Sequence, residues 1–250
     1  MPEQHSQFIP SPRRVRVFFS KEVIADSKAM MLLREPGRIP VYYFPKADVR
    51  TDLLQPGDRR TEGDRRGEAR FWHVRVGEAR TENAAFTFRN PPAEEPDLSG
   101  HVAFEWGKME GWYEEDEEVY VHARDPYKRV DVLNSSRHIK VVIANTVVAE
   151  TRRSRLLFET GLPTRYYLPK ADVRMALLEN SDTVTRCPYK GEARYYSVRI
   201  GEALHRDLVW SYPYPVLECP KTEGLLCFFN EKVDIYEEGQ LQPRPKTPWS

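Results

Sequence analysis

The stretch VYYFPKADVR, Val41 to Arg50, recurs as RYYLPKADVR, Arg165 to Arg174, at an offset of 165 − 41 = 124 residues. The same offset, with no gap, carries further residues onto each other, among them Gly67 onto Gly191 and Gly77 onto Gly201. Because side chains alternate between the two faces of a strand, one inserted residue would turn all later side chains to the wrong face. The gapless repeat therefore predicts two copies of one fold.

The repeat divides the chain into five predicted segments. These are an N-terminal tail (1–10), a first repeat domain (11–112), an acidic linker (113–134), a second repeat domain (135–238) and a Pro-rich tail (239–250). Soluble oligomers are mostly symmetric, so two copies in one chain suit a pseudo-twofold pair that mimics a homodimer. We expect a monomer with this internal pseudo-dimer, in which the halves superpose from Arg13 on Arg137 to Lys108 on Lys232.

Within each copy the periodicity is that of strands. RRVRVFFSKEVIADS and RHIKVVIANTVVAET alternate apolar and polar residues around a short turn, which predicts a hairpin with one buried face. ARFWHVRVGEARTENAAFTF and its second copy predict a strand, a tight glycine turn and another strand. Only KADVRTDLL and KADVRMALL have apolar residues at helical spacing, which predicts a short helix or helical turn. The predicted fold class is mainly β, with antiparallel sheets.

Composition argues against several classes of protein. Lys and Arg number 38 and Asp and Glu also number 38, so no strong attraction to nucleic acid or to an anionic membrane is expected. No apolar run reaches the length of a membrane span, and the N-terminus lacks a signal-peptide core, which favours a cytoplasmic protein. The three cysteines form no CxxC pair, which argues against a disulfide framework and a ribbon-type zinc site. We expect no metal and no cofactor.

The two copies differ most in one turn, where TRCPYKGEAR, Thr185 to Arg194, stands in place of TEGDRRGEAR, Thr61 to Arg70. A lysine three residues from a cysteine in a turn can stabilise the thiolate with its ammonium group. This predicts a catalytic group of Cys187, Tyr189 and Lys190 in the second repeat, and a retired or repurposed loop in the first. The alternative is that Cys187 fills apolar space and that Lys190 is a surface charge.

Five further residues of the second repeat are candidates for binding a substrate: Tyr166, Tyr167, Arg174, Trp210 and Glu159. Adjacent tyrosines point to opposite faces of a strand, so one enters the core while the other could face a cleft. Core packing is the alternative for the tyrosines and Trp210. For the repeated Asp-x-Arg that includes Arg174, the alternative is a structural ion pair. The acidic run Glu114 to Glu118 predicts a solvated linker face.

The order of SPRRVRV, VYYFPKADVR, CPYKGEARYYSV, WSYPYP and FFNEKVD resembles the domain of unknown function 427 family in its tandem form, over roughly Ser11 to Tyr236. The resemblance implies a β-tent fold, in which two antiparallel sheets lean together over a concave cleft. Relatives of that fold often hold zinc on two CxxC pairs, which this chain does not have. The resemblance also implies a nucleotidyltransferase label. The chain lacks the Gly-Ser followed by Asp-x-Asp that such enzymes usually carry to place Mg²⁺.

Three functions follow from these observations. The first is a small-molecule enzyme or ligand-binding protein whose working cleft lies in the second repeat, around Cys187. The second is a non-catalytic module that binds a protein or peptide. The third is metal-dependent nucleotidyl transfer, as the resemblance implies. The first function predicts a pocket around Cys187 that the first repeat lacks, whereas the second predicts equivalent or filled clefts and an exposed apolar patch.

Overall fold

The structure is a computed structural model that describes residues 5–61, 66–247 and 250 in full and 62–64 by their backbone. The chain divides into two compact units, Met1–Asp125 and Pro126–Ser250. Each unit is described below by itself. None of the helical turns in the described part of the chain has the length and apolar character of a transmembrane helix.

The first unit is built from antiparallel strands in two sheets. Its strands, over the described residues, are β1 (Gln7–Pro10), β2 (Val15–Phe19), β3 (Glu22–Ser27), β4 (Met31–Arg34), β5 (Val41–Pro45), β6 (Leu54–Asp64), β7 (Gly67–Val76), β8 (Ala79–Arg89), β9 (His101–Phe104), β10 (Gly111–Glu114) and β11 (Glu117–Glu118). The larger sheet has the order β1-β4-β5-β9-β8-β7-β6, and the smaller sheet has the order β11-β10-β2-β3.

The second unit repeats this arrangement strand for strand. Its strands, over the described residues, are β12 (Val130–Asn134), β13 (Ile139–Ile143), β14 (Thr146–Thr151), β15 (Arg155–Glu159), β16 (Arg165–Leu168), β17 (Leu178–Cys187), β18 (Gly191–Ile200), β19 (Ala203–Ser211), β20 (Leu226–Phe228), β21 (Asp234–Glu237) and β22 (Gln240–Leu241). The orders are β12-β15-β16-β20-β19-β18-β17 and β14-β13-β21-β22. The prediction of a mainly β protein with two similar halves is confirmed.

The predicted turns also form. The hairpin β2–β3 turns at Ser20 and Lys21 with φ of 50° and 65°, and β13–β14 turns at Ala144 and Asn145 with φ of 45° and 60°. Positive φ at both central residues matches the right-handed twist of the flanking strands. The predicted helical segments are pairs of short 3₁₀ turns, Lys46–Asp48 with Thr51–Leu53 and Lys170–Asp172 with Met175–Leu177. They connect the sheets without forming longer helices.

The offset of 124 residues applies to equivalent cross-strand pairs as far as β9 and β20, where Tyr43 pairs with Ala103 and Tyr167 with Cys227. Beyond Lys108 and Lys232 the offset becomes 123. Glu114 pairs with Val15 in the first unit, whereas Glu237 pairs with Ile139 in the second. The second unit therefore has one residue fewer than the first in the connection before β21. Because the pairing of the smaller sheet shifts with it, equivalent residues of β10 and β21 still point to the same face.

Both faces of the larger sheet are covered in each unit. Tyr42 packs in the core between the two sheets, while Tyr43 packs with Phe71, Phe86 and Leu98 on the opposite face. Tyr166 and Tyr167 divide in the same way between two cores. Tyr43 and Tyr167 are each 0% exposed. The second tyrosine of each pair therefore lies in a second core, which is the packing alternative that the sequence left open.

The segment between the repeats belongs to the folded units. Val119 and Ala123 are buried in the main core of the first unit, and the backbone N–H of Arg124 donates to the hydroxyl of Tyr42 at 2.9 Å. Glu114 is itself buried, and hydrogen bonds from Arg13 and Tyr42 compensate its carboxylate for the loss of water. The prediction of a solvated acidic face is therefore wrong for Glu114. The sequence pattern could not show which glutamate of the run faces inward.

Candidate functional site

The Cys187 turn joins two long strands of the second unit. Cys187 ends β17 and pairs with Gly191 at the start of β18, so that residues 188–190 form a tight connection. The backbone N–H of Lys190 donates to the carbonyl of Cys187 at 3.3 Å, and Pro188 is buried. Lys190 also accepts a hydrogen bond from the backbone N–H of Val216 at 3.2 Å. The loop that follows β19 therefore packs onto this turn.

The ammonium group of Lys190 lies inside the unit. Its Nζ is 2.5 Å from Oε2 of Glu159, and the two side chains are 12% and 4% exposed. Lys128 Nζ lies 3.4 Å from the other oxygen of the same carboxylate. Burial by itself would lower the pKa of Lys190, but the neighbouring Cys187 and Glu159 raise it above its ordinary value. Lys190 is thus held in its charged form.

Cys187 differs from the other two cysteines in its exposure. It is half-buried, whereas Cys219 and Cys227 are buried. Burial raises the pKa of both buried thiols, that of Cys227 to about 12. Because thiolates are the reactive form of cysteine, these two thiols are expected to be inert in the folded protein. Cys187 combines access to solvent with a neighbouring cation.

The remaining predicted residues fall into separate groups. Tyr189 is buried, with Lys128 Nζ 5.9 Å from its ring centre. Trp210 Nε1 donates to the hydroxyl of Tyr167 at 3.2 Å in the second core. Tyr212 lies near the same groups. Burial raises the pKa of its hydroxyl well above normal, and the neighbouring Cys187 and Glu159 raise that pKa further.

Tyr166 and Arg174 lie elsewhere in the unit. Tyr166 packs in the core between the sheets and donates to Glu237 at 3.0 Å. The guanidinium group of Arg174 donates to the carbonyl of Val147 in the hairpin β13–β14. The structure thus brings together Cys187, Lys190 and Glu159, with Tyr189 beside Lys128. Tyr167 and Trp210 pack with each other in the second core, and Tyr166 and Arg174 lie apart.

The family model described as a domain of unknown function (DUF427) matches residues 7–115 and 131–239. The chain belongs to the DUF427 family. Its two units are therefore tandem DUF427 domains, as the motif order indicates. The model's name, NTP_transf_9, is the source of the nucleotidyltransferase label. No curated protein matches the chain.

Comparison of the two DUF427 domains separates what they share from what differs. In the first domain Arg66 Nη1 lies 3.7 Å from Glu35, and Arg38 lies 3.8 Å from the same carboxylate. Arg66 and Glu35 correspond to Lys190 and Glu159 at the offset of 124. Both domains therefore place two cations around one glutamate, which is buried in the second domain and partly buried in the first, and the charge group is part of the common fold. The thiol of Cys187 is among the features specific to the second domain.

The sequence reasoning missed two members of the site. Lys128 lies in the segment predicted as a linker and has no cationic counterpart in the first domain, so no repeat signal pointed to it. Tyr212 corresponds to Phe88, which shows that an aromatic residue recurs there but not that its hydroxyl lies near a thiol. Arg65 and the side chain of Asp64, which belong to the loop contrasted with the Cys187 turn, lie outside the described residues.

Two concavities of the described surface lie in the first domain. One, of about 640 Å³, is lined by the loop after β8 together with Lys46. The other, of about 460 Å³, is lined by Arg14, Asp26, Lys28, Ala29 and Asp48. Neither contains Cys187. Among the described side chains, no group of three or more His, Cys, Asp or Glu has an arrangement that could hold a metal ion.

Proposed function

We propose that the second DUF427 domain binds a small molecule with an electrophilic or anionic group, and that Cys187 is the nucleophile of this site. The observation that supports the proposal is a half-buried cysteine beside an ammonium group that Glu159 holds in place. Lys190 is then the residue that stabilises negative charge, on the thiolate or on the ligand.

The charges around the thiol favour this role. Lys190 and Lys128 contribute two positive charges and Glu159 contributes one negative charge, so these three side chains together carry one net positive charge. An ammonium group in a partly dry environment interacts more strongly with an anion than one in water. Tyr189 packs against Lys128 and Trp210 bonds to Tyr167, so we assign these aromatic residues to positioning the site.

Labelling of the thiols under native conditions tests the proposal. A small alkylating reagent at neutral pH is expected to modify Cys187 about 100-fold faster than Cys219 or Cys227, as followed by mass spectrometry of peptides. In Lys190→Met the rate should fall about fivefold or more, because the cation is lost, whereas Lys190→Arg should largely preserve the rate. If Cys187 reacts only when the protein unfolds, the thiol is a filler and the proposal fails.

A ligand screen tests the binding role directly. Ligands that bind only the native state raise its apparent stability. A thermal-shift screen of metabolites should yield compounds that stabilise the wild type but not Cys187→Ser, whose own melting temperature is expected to stay close to that of the wild type. Compounds that stabilise both proteins equally would place the binding site elsewhere.

A protein-interaction role is the second candidate, and one observation favours it. The loop after β19 exposes Tyr214 at 88% and Leu217 at 92%, which is unusual for large apolar side chains. If this loop is an interface, Tyr214→Ser with Leu217→Ser should abolish partner or self-association in sedimentation experiments and leave the labelling of Cys187 unchanged. If the double variant associates with itself or with a binding partner as the wild type does, this candidate is removed.

A further inference from the structure

An aspartate of the second domain is tied to an arginine by a two-pronged hydrogen bond. Arg153 Nε and Nη2 lie 2.8 and 2.7 Å from the two carboxylate oxygens of Asp172. Thr151 Oγ1 donates to the same carboxylate at 2.6 Å, and it accepts the backbone N–H of Arg153 at 3.0 Å. The hydrogen bonds from Arg153 and then Thr151 lower the pKa of Asp172 to about 2. The planar guanidinium group fits the carboxylate as a fork.

The first domain has the same frame without the arginine. Asp48 corresponds to Asp172, and Ser27 Oγ donates to it at 2.5 Å. Ser27 Oγ also accepts the backbone N–H of Ala29 at 2.9 Å, as Thr151 accepts that of Arg153. The isolated bridges Ala25 to Val49 and Ala149 to Val173 hold both aspartates in equivalent places. Several neighbouring side chains also differ between the domains, but the guanidinium partner of the aspartate is missing because Ala29 stands where the second domain has Arg153.

A concavity of about 460 Å³ opens at this position, lined by Arg14, Asp26, Lys28, Ala29 and Asp48. This volume is within the range of small-ligand sites. Arg14 is already engaged, because its Nε and Nη2 lie 2.7 and 2.5 Å from the oxygens of Asp26. Among the ion pairs of the described residues, none includes Asp48. The carboxylate thus faces an open concavity with only Ser27 as a side-chain partner.

We propose that this concavity binds a guanidinium group, which Asp48 holds in the geometry that Arg153 adopts on Asp172. In the second domain the equivalent aspartate holds a guanidinium group while it also accepts the hydroxyl of Thr151. An ammonium group fits less well, since it is a point charge and cannot bond both oxygens in one plane. Lys28, on the rim, would pair with a carboxylate carried by the same ligand. The guanidinium group could belong to free arginine or to an arginine side chain of a peptide.

The two domains allow an internally controlled test in the full-length protein. N-acetyl-arginine amide is titrated into isotope-labelled protein, and amide and carboxyl chemical shifts are followed by NMR. The wild type should show one saturable site, with shifts at Ala29 and Asp48. Ala29→Arg should abolish it, because the new side chain fills the concavity. Arg153→Ala should create a second site, with shifts at Asp172.

Two controls separate this site from general ion binding. Asp48→Asn should weaken binding about tenfold or more, and N-acetyl-lysine amide should bind about fivefold or more weakly than the arginine probe. Stronger binding of free arginine than of the capped probe would identify the free amino acid as the source, and stronger binding of a Gly-Arg-Gly peptide would identify a peptide. The proposal is overturned by any of three results: absence of a saturable site in the wild type, unchanged binding in Asp48→Asn, or a folded Arg153→Ala protein that gains no second site.

Discussion

Replacement of Lys190 by methionine tests how the site of the second domain is held together. Methionine keeps the length of the side chain but removes the ammonium group that lies 2.5 Å from Glu159. The carboxylate, which is only 4% exposed, then remains in a dry environment with one cation fewer. We expect a loss of stability in the second domain and, through the missing cation, a less reactive Cys187.

The size of the loss can be estimated from the pair. Removal of one partner of a buried ion pair typically costs about 3–5 kcal/mol, since the other charge stays buried without compensation. Lys128 Nζ remains 3.4 Å from Glu159, so part of the compensation survives. We therefore expect a loss of about 2–3 kcal/mol. With a urea m-value of about 2 kcal/mol/M, the midpoint of unfolding should fall by about 1–1.5 M.

The matched control is Lys190→Arg. The first domain has Arg66 at the equivalent position beside Glu35, which shows that the fold accommodates a guanidinium group there. We expect this variant to lose less than about 1 kcal/mol, as is usual when a substitution preserves its main interaction.

Thiol chemistry provides an assay that reports on the second domain alone. In a Cys187→Ser background, the remaining cysteines, Cys219 and Cys227, are both buried in that domain. A short pulse of thiol reagent at increasing urea concentration therefore measures its unfolding without interference from the first domain. Equal losses in Lys190→Met and Lys190→Arg would refute the reasoning, and so would a loss below about 0.5 kcal/mol in Lys190→Met.

Three further outcomes are expected. Gly67→Ala should destabilise the first domain by more than about 2 kcal/mol in thermal unfolding, because Gly67 has φ of 92° and an added Cβ would lie 2.2 Å from a backbone carbonyl oxygen. The carboxyl group of Asp172 should titrate in NMR with a pKa of about 2. Because this pKa is below that of an aspartate in the unfolded chain, the stabilisation that Asp172 contributes is complete above pH about 4 and is lost as the pH falls through about 2. A first domain that ends at Glu118 should be less stable in urea by about 2–4 kcal/mol than one that retains Val119 and Ala123, because both side chains are buried.

Much of the fold could be predicted because it depends on patterns that are local or repeated. Strand alternation identified the hairpins β2–β3 and β13–β14, and the gapless offset of 124 predicted two equivalent units with equivalent faces. The change of offset before β21 could not be predicted in this way. A single deletion in a short connection leaves no periodic signal, and only the pairing of Glu237 with Ile139 reveals it.

The candidate site was predicted in part. The turn of Cys187 and Lys190 was identified because the two copies differ there, and Glu159 was identified because it recurs. That Lys190 and Glu159 form a pair depends on the folding of β15 and β17 into one sheet, since the two residues are 31 positions apart in the chain. Lys128 joins them from a segment whose composition indicated only a linker.

The sequence by itself determined the class of fold, the duplication and the residue types available in each copy, because periodicity and repetition are properties of the chain. The tertiary structure decided which of those residues meet and how deeply they are buried. Tyr166 and Tyr167 are adjacent in sequence yet lie in different cores, while Asp48 and Asp172 are equivalent in sequence yet only Asp172 has a guanidinium partner. Contact and burial depend on distances between strands that are remote in the chain, and these distances are set only when the sheets pack.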